Sequence, residues 1–152
     1  MNAFEKLIAD FSAMTGLELV PDERQGCFLE TEGVIITIQY RQHLDEIVIF
    51  APVTDADSEE PLTKAMCEKA LSLAHESKET GGATLGLFNG NLILTIHLPL
   101  QGLDASALGD KLMAFADAAV SAKAEIATAA NTSEAENNNT ALNDNNADLI
   151  RV

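Results

Sequence analysis

A two-residue hairpin turn is the strongest constraint that this sequence places on its fold. Asn89-Gly90 separates two strand-like runs, 83–88 and 91–98, each rich in apolar residues. Asparagine followed by glycine supplies the two positive φ angles that a type I′ turn needs. The pattern therefore predicts a tight antiparallel hairpin, in which the turn fixes the pairing of the two strands.

A second group of strands is predicted nearer the N-terminus. The segment 34–40 is rich in β-branched residues, and 46–53 alternates Ile47, Ile49 and Ala51 with other apolar side chains. Shorter strands are predicted at 17–20, which ends at Pro21, and at 26–30. Polar turns separate these runs, so a meander of antiparallel strands is the simplest account of residues 17–53.

Three helices complete the predicted order. Asn2 and Glu5 form a capping-box pattern, and Gly16 is a typical helix stop. Acidic residues at 55–60 favour a second helix start there, with Gly81-Gly82 as its end. Asp104 is the predicted N-cap of the third. The order α-β-β-β-α-β-β-α, with strands joined by short turns, indicates an α+β domain with a largely antiparallel sheet and packed helices.

Charge and length narrow the class of protein. The chain has 152 residues and a formal net charge of −15. Because nucleic acids and anionic membranes are bound through basic surfaces, we expect neither as a partner. The apolar runs are too short to span a bilayer, and no signal-peptide pattern is present, so we expect a cytoplasmic protein with no membrane insertion. Cys27 and Cys67 are then expected as free thiols. Residues 1–126 form the predicted domain, and the Asn-rich acidic segment 127–152 is predicted to be a disordered tail.

No residue pattern predicts catalysis. His75 and Glu79 are four apart on a helix, but two ligands are too few for a metal site. Asp55, Asp57 and Glu59 alternate like the start of a calcium loop, yet the required glycine is missing and a helix start explains them better. The cysteines lack a catalytic signature, so we expect no enzyme activity, no metal and no cofactor.

Surplus apolar strand surface is the feature that points to binding. The strands 34–40, 46–53 and 91–98 carry apolar residues on both faces. Three helices would normally cover only one face. Physical arguments favour two interpretations of this surface equally. One is an ordinary two-layer core with a dimer contact, and the other is a surface that receives another polypeptide.

The ordered set of motifs resembles the class I type III secretion chaperones, the Tir-chaperone-like family. The resemblance covers about residues 3–126. It rests on the helix-one pattern from Phe4 to Phe11 with Thr15-Gly16-Leu17, on Leu71 to Ala74 with Gly81-Gly82, and on the pattern 103–115. It implies a homodimer built around helix two and the second hairpin, and binding of the N-terminal segment of a secreted effector in extended form. A non-secretory interaction adaptor of the same fold is the alternative.

Candidate contact residues follow from the same patterns. Apolar side chains near the predicted sheet edge are the expected effector contacts: Phe4, Leu7, Phe11, Ile36, Ile38 and Ile49. The wide apolar stripe of helix two and the second hairpin supply the expected dimer contacts: Leu62, Met66, Leu73, Leu92 and Leu94.

Overall fold

The computed structural model describes residues 1–55, 60–75 and 80–140 of the chain, and it confirms the predicted α+β fold class. In these described residues, three helices and five strands follow one another in the predicted order. Their bounds are α1 (Ala3–Thr15), β1 (Gly26–Thr31), β2 (Val34–Arg41), β3 (Glu46–Pro52), α2 (Lys64–His75), β4 (Thr84–Phe88), β5 (Asn91–Pro99) and α3 (Ala105–Thr140).

The five strands form one antiparallel sheet in the order β1-β2-β3-β5-β4. The two hairpins β1-β2 and β4-β5 therefore lie at opposite sides of the sheet, and β1 and β4 are its edges. In the central strands Ile38 pairs with Ile49, and Ile49 pairs with Ile96. Directly paired residues share a face, so this row of isoleucines belongs to one side of the sheet.

One face of the sheet packs on the helices and forms the core; we call it the helix face and the other the open face. On β2 the buried residues Val34, Ile36 and Ile38 alternate with more exposed neighbours. They join a single cluster with Phe4 and Ile8 of α1 and with apolar residues of α3. Within the described part of the chain, the helices thus cover one face, and the open face keeps exposed aromatic and aliphatic side chains.

Local sequence chemistry explains where the helices and turns begin. Asn2 and Glu5 form the predicted capping box, and Gly16 ends α1 at a φ of 77°. The Asp104 carboxylate accepts a hydrogen bond from the Ala107 N–H at 2.8 Å, which confirms the predicted cap of α3. Asn89 and Gly90 both have positive φ, 49° and 75°, as the predicted type I′ turn requires.

Two details of the prediction were wrong. Residues 17–20 form no strand; the Ser12 hydroxyl instead holds this segment against the end of α1, accepting from the Leu19 N–H at 3.2 Å. The second helix begins at Lys64, because the Thr63 hydroxyl accepts from the Met66 N–H at 3.2 Å and acts as the cap. Part of the predicted acidic helix start, residues 56–59, lies outside the described residues, as does Glu79.

The long helix α3 continues beyond residue 126, where the domain was predicted to end, and reaches Thr140. Its buried residues Leu108, Leu112 and Phe115 face the core, and Ile126 is the last large one among the described side chains. The rest of the predicted tail, residues 141–152, lies outside the described residues. A domain boundary at 126 stays a prediction.

Candidate functional site

All the expected effector contacts lie in the hydrophobic core. Each has at most 6% of its surface exposed, and they belong to one cluster that joins α1 to the helix face of the sheet: Phe4, Leu7, Phe11, Ile36, Ile38 and Ile49. Because the protomer's own side chains enclose them, their packing supports the fold. A role for them in contacting an effector stays a prediction.

The expected dimer contacts are divided between core and surface. Leu73, Leu92 and Leu94 are buried inside the protomer, whereas Leu62 and Met66 are partly buried. The large exposed residues in this region are different ones: Leu71 on α2 and Leu87 and Phe88 on β4, each about two-thirds exposed or more. Their apolar surface is available for a contact between two chains.

The edge strand β1 offers free backbone groups. Tyr40 N–H donates to the Gln25 carbonyl at 3.0 Å. Since bonding partners alternate along an antiparallel pair, Cys27 and Leu29 bond to β2, and the backbone groups of Phe28 and Glu30 point away from the sheet. No other backbone group in the described part of the chain pairs with them on that side. A further strand could therefore add to this edge.

A loop limits this edge at its N-terminal end. The Asp22 carboxylate accepts from the N–H groups of Arg24 and Gly26, both at 2.9 Å, and the Asp22 N–H donates to the Gly26 carbonyl at 2.8 Å. These bonds occupy the outward-facing groups of Gly26. The open part of the edge accordingly begins at Phe28, which is 72% exposed.

An apolar groove runs along β1 on the helix side; we call it the helix-side groove. Its volume is about 470 Å³, and α1, β1 and α3 form its walls. Met14, Leu17 and Met113 line it and are exposed, and Leu29 lies beside them on β1. Gly109 lies at the α1–α3 contact, where an added β-carbon would be in ordinary van der Waals contact with Phe11 Cε2, at 3.5 Å. The groove is shaped to accept apolar side chains.

A second hollow lies beside β1 and opens toward the other face of the sheet; we call it the open-face groove. It has a volume of about 380 Å³. Leu19 and Val20, from the segment after α1, form one wall, and Phe28 and Thr37 lie on the sheet side. The edge strand is therefore flanked by a hollow on each side, an apolar one on the helix side and one with both apolar and polar walls on the open face.

The charge around the two grooves is negative. Asp110 and Glu30 line the helix-side groove, and Glu18 and Asp22 line the open-face groove; among the described residues, no lysine or arginine lines either. Within the described residues, the ion pairs lie elsewhere, at Glu46 with Arg41 and at Lys64 with Glu68, and His97 Nδ1 lies 3.1 Å from Glu46 Oε1. The grooves thus combine apolar walls with carboxylates that carry no ion pair.

A third groove, of about 340 Å³, lies on the open face at the other side of the sheet. Phe50 and Ile93 line its floor, and Phe88 of the edge strand β4 forms a wall. Arg41 also lines it, and its guanidinium lies 3.7 Å from Glu46 Oε1. This groove is continuous with the exposed residues of β4, so it belongs to the region of the predicted dimer contact.

The ionisable groups that the structure describes give no sign of a reactive centre. Burial raises the pKa of the Cys27 thiol to about 11, with the Asp22 charge as a smaller cause, so the thiol stays protonated near neutral pH. Among the described residues, no group of three or more His, Cys, Asp or Glu side chains is placed to hold a metal ion. Within the same part of the chain, no helix is long and apolar enough to cross a membrane.

Sequence reasoning missed several groove residues. Met113 is 69% exposed and lies next to Leu112, at the flank of the apolar stripe that α3 buries. A large apolar residue outside the stripe was the available signal. Phe28 gave the same signal on β1, where it points to the face opposite Leu29.

The described features are those of a protein-binding α+β domain, and a family model agrees. The model of the Tir chaperone protein (CesT) family matches residues 6–123. The chain belongs to the Tir chaperone protein (CesT) family, which confirms the resemblance found in the sequence. A search of the curated proteins gave no significant match.

Solved structures share the fold at low sequence identity. A chain of the HopA1–SchA chaperone–effector complex superposes with a TM-score of 0.65 at 15% identity, covering 80% of this chain and 93% of that one. A chain of the ExsC–ExsE complex gives 0.62 at 19%, covering 76% and 86%. A chain of the ExoT–SpcS complex from Pseudomonas aeruginosa gives 0.59 at 20%, covering 80% and 98%.

Proposed function

We propose that this chain is a cytoplasmic type III secretion chaperone that binds the N-terminal segment of a secreted effector in extended form. Family membership supports the chaperone role, and solved neighbours are chains of chaperone–effector complexes. The observation that carries the binding mode is the edge strand β1, which has outward-facing backbone groups and a groove with large apolar side chains on each side. Bound in this way, the effector segment is kept soluble and competent for export.

Strand addition at β1 is the proposed contact. The effector backbone pairs with the outward-facing groups of Phe28 and Glu30, while its side chains enter the adjoining grooves. Backbone hydrogen bonds give affinity for many sequences, and the pockets for alternate side chains select among them. Because an extended segment buries few of its own residues, it stays unfolded while it is held.

A homodimer is part of the proposal. The exposed apolar residues Leu71, Leu87 and Phe88 lie on α2 and β4, the helix and edge strand farthest along the sheet from β1. Two copies that bury this region against each other leave both β1 edges accessible. An effector segment long enough to reach both edges then gains affinity by binding twice.

No catalytic step is required for this role. Holding and releasing an extended segment is a binding equilibrium, and the apolar grooves supply the driving force. The proposed chaperone therefore acts without metal, nucleotide or other cofactor, and it is not an enzyme.

Capture of a client tests the proposal. The tagged full-length chain is expressed in its own bacterium, bound proteins are identified by mass spectrometry, and the client is then co-purified for limited proteolysis. We expect a substrate of the type III system whose N-terminal segment is protected while bound. A double variant, Leu17→Asp with Met113→Asp, is expected to lose the client, because it places charges in the helix-side groove.

Leu44→Asp is the matched control. Leu44 is equally apolar and exposed, lies in the β2–β3 turn and lines none of the three grooves. Equal loss of the client in the control and the double variant would contradict the proposed site. Protection of a folded domain in the client, with its N-terminal segment left open, would contradict the proposed binding mode.

A further inference from the structure

The two grooves beside β1 impose a side-chain pattern on any strand that adds there; this step rests on the proposed function. Successive side chains of a strand point to opposite faces of the sheet. A strand bound at Phe28 and Glu30 therefore sends one side chain into the helix-side groove and the next into the open-face groove. Two neighbouring residues of the client, not only every second one, meet apolar walls.

The size and composition of the walls set the kind of side chain. Each groove has a volume of several hundred Å³, large enough for leucine, isoleucine, methionine or phenylalanine. Met14 and Met113 in the helix-side groove have flexible, polarisable side chains that adapt to different shapes. The grooves accordingly select for large apolar residues without selecting for one of them.

The carboxylates around the edge set the charge of the residues that flank this apolar pair. Asp110 lies at the helix-side groove, Glu18 at the open-face groove, and Glu30 on the edge strand itself. Each is exposed, and among the described residues none forms an ion pair. An acidic client segment would be repelled here, whereas lysine or arginine would gain favourable charge pairs.

We infer that the client segment held at β1 contains adjacent large apolar residues flanked by basic residues. The apolar residues supply most of the affinity, and the basic ones set orientation and exclude acidic segments.

Synthetic peptides of about ten residues provide the probes. The first carries two pairs of adjacent leucines in an otherwise neutral, soluble sequence with two lysines at each end. In the second, glutamates replace the lysines, and in the third, serines replace the leucines. Fluorescence anisotropy with the full-length chain at low salt should rank the lysine peptide first. We expect the glutamate peptide to bind at least about fivefold more weakly and the serine peptide not to bind.

Backbone pairing has its own probe. Two versions of the lysine peptide carry N-methyl groups on alternate residues, one version on the odd and one on the even positions. Only one set of amides faces β1, so one version should lose binding while the other keeps it. Equal losses in both versions, or none in either, would show that the peptide does not add to the sheet as a strand.

A variant of the chaperone tests the charges. Asp110→Asn with Glu30→Gln should weaken binding of the lysine peptide about two- to tenfold and bring it closer to the glutamate peptide. Asp117→Asn with Glu23→Gln removes the same charges at exposed positions that line neither groove, and it should leave the preference unchanged. Salt of about 0.5 M should reduce the preference in the unmodified chain.

The outcomes separate this inference from the proposed function. Equal binding of the lysine and glutamate peptides overturns the charge selection, and binding by none of the peptides overturns the apolar-pair pattern. Capture of a type III substrate by the full-length chain would still stand in both cases. If that capture failed while the lysine peptide bound as expected, the edge would be a peptide site and the secretion role would be wrong.

Discussion

The Thr54 hydroxyl accepts a hydrogen bond from the backbone N–H of Leu92 at 3.1 Å, 38 residues further along the chain. The same hydroxyl donates to Asn91 Oδ1 at 3.2 Å, and the Val53 N–H donates to the Leu92 carbonyl at 2.9 Å. These bonds join the chain that leaves β3 to the beginning of β5. They hold the C-terminal end of β3 against the N-terminal end of β5, at the point where the chain continues toward α2.

Replacing Thr54 with valine is expected to lower the free energy of unfolding by about 1–3 kcal/mol, because the buried Leu92 N–H loses its hydrogen-bond acceptor. Urea unfolding followed by circular dichroism measures the change. Thr37→Val is the control, since Thr37 lies in the interior strand β2 and its hydroxyl makes no hydrogen bond within the described residues. An equal loss in both variants would contradict the importance of the Thr54 bonds.

Local signals in the sequence were enough to predict most of the fold. Asn89-Gly90 has the left-handed angles that its residue types favour, and Asn2 with Glu5 forms the capping box that their spacing indicates. Each of these patterns acts through contacts between residues a few positions apart. The segment 17–20 was assigned wrongly because Ser12, a helix residue, holds it in place through Leu19. Side-chain bonds of this kind have no periodic signature.

The binding site was harder to predict than the fold. Ile35 and Ile36 are identical in type, yet Ile36 is fully buried and Ile35 is half exposed. A strand with apolar residues on both faces does not reveal which face the helices cover, and a shift by one residue exchanges the two. The expected effector contacts were therefore taken from the side that forms the core, while Phe28 and Met113 were overlooked.

Paired alanine substitutions separate core residues from groove residues. Ile36→Ala removes a fully buried side chain and should cost about 2–5 kcal/mol of stability. Met113→Ala should change stability by less than about 0.5 kcal/mol, because the side chain is mostly exposed. It should weaken client binding by about 1 kcal/mol or more. Thermal unfolding and client affinity are measured on the same samples, and a Met113→Ala variant that loses stability instead would place this residue in the core.

The two thiols should react at different rates. Burial raises the pKa of Cys27 to about 11 from a model-compound value of 9.0, so near pH 8 its thiolate population is about 100-fold smaller than in the unfolded chain. Cys67 is only partly buried. We expect a chromogenic disulfide reagent to label Cys67 first and Cys27 only slowly. Cys67→Ser isolates the slow reaction, and unfolding in guanidinium should abolish the difference.

The raised pKa of Cys27 also has a consequence for stability at high pH. Between the unfolded value near 9 and the folded value near 11, the native thiol keeps its proton while the unfolded chain loses it. The native state then binds more protons, so stability falls as pH rises through this window. Cys27→Ala should make the decline shallower than in the unmodified chain. An identical decline in both proteins would contradict the assigned pKa.

The exposed residues of α2 and β4 provide a test of the proposed homodimer. The unmodified chain should sediment at twice its 16.2 kDa mass at micromolar concentration. Leu71→Asp and Leu87→Asp should each weaken the dimer at least about tenfold, because a two-fold interface contains every substitution twice and each charge would have to leave water. Leu44→Asp, outside this region, should remain a dimer.

Each protein is also checked for an unchanged melting profile at a concentration where it is monomeric, so that loss of the dimer is distinguished from unfolding. A dimer that survives both substitutions on α2 and β4 would move the interface elsewhere, and a monomeric unmodified chain would remove the homodimer from the proposed function.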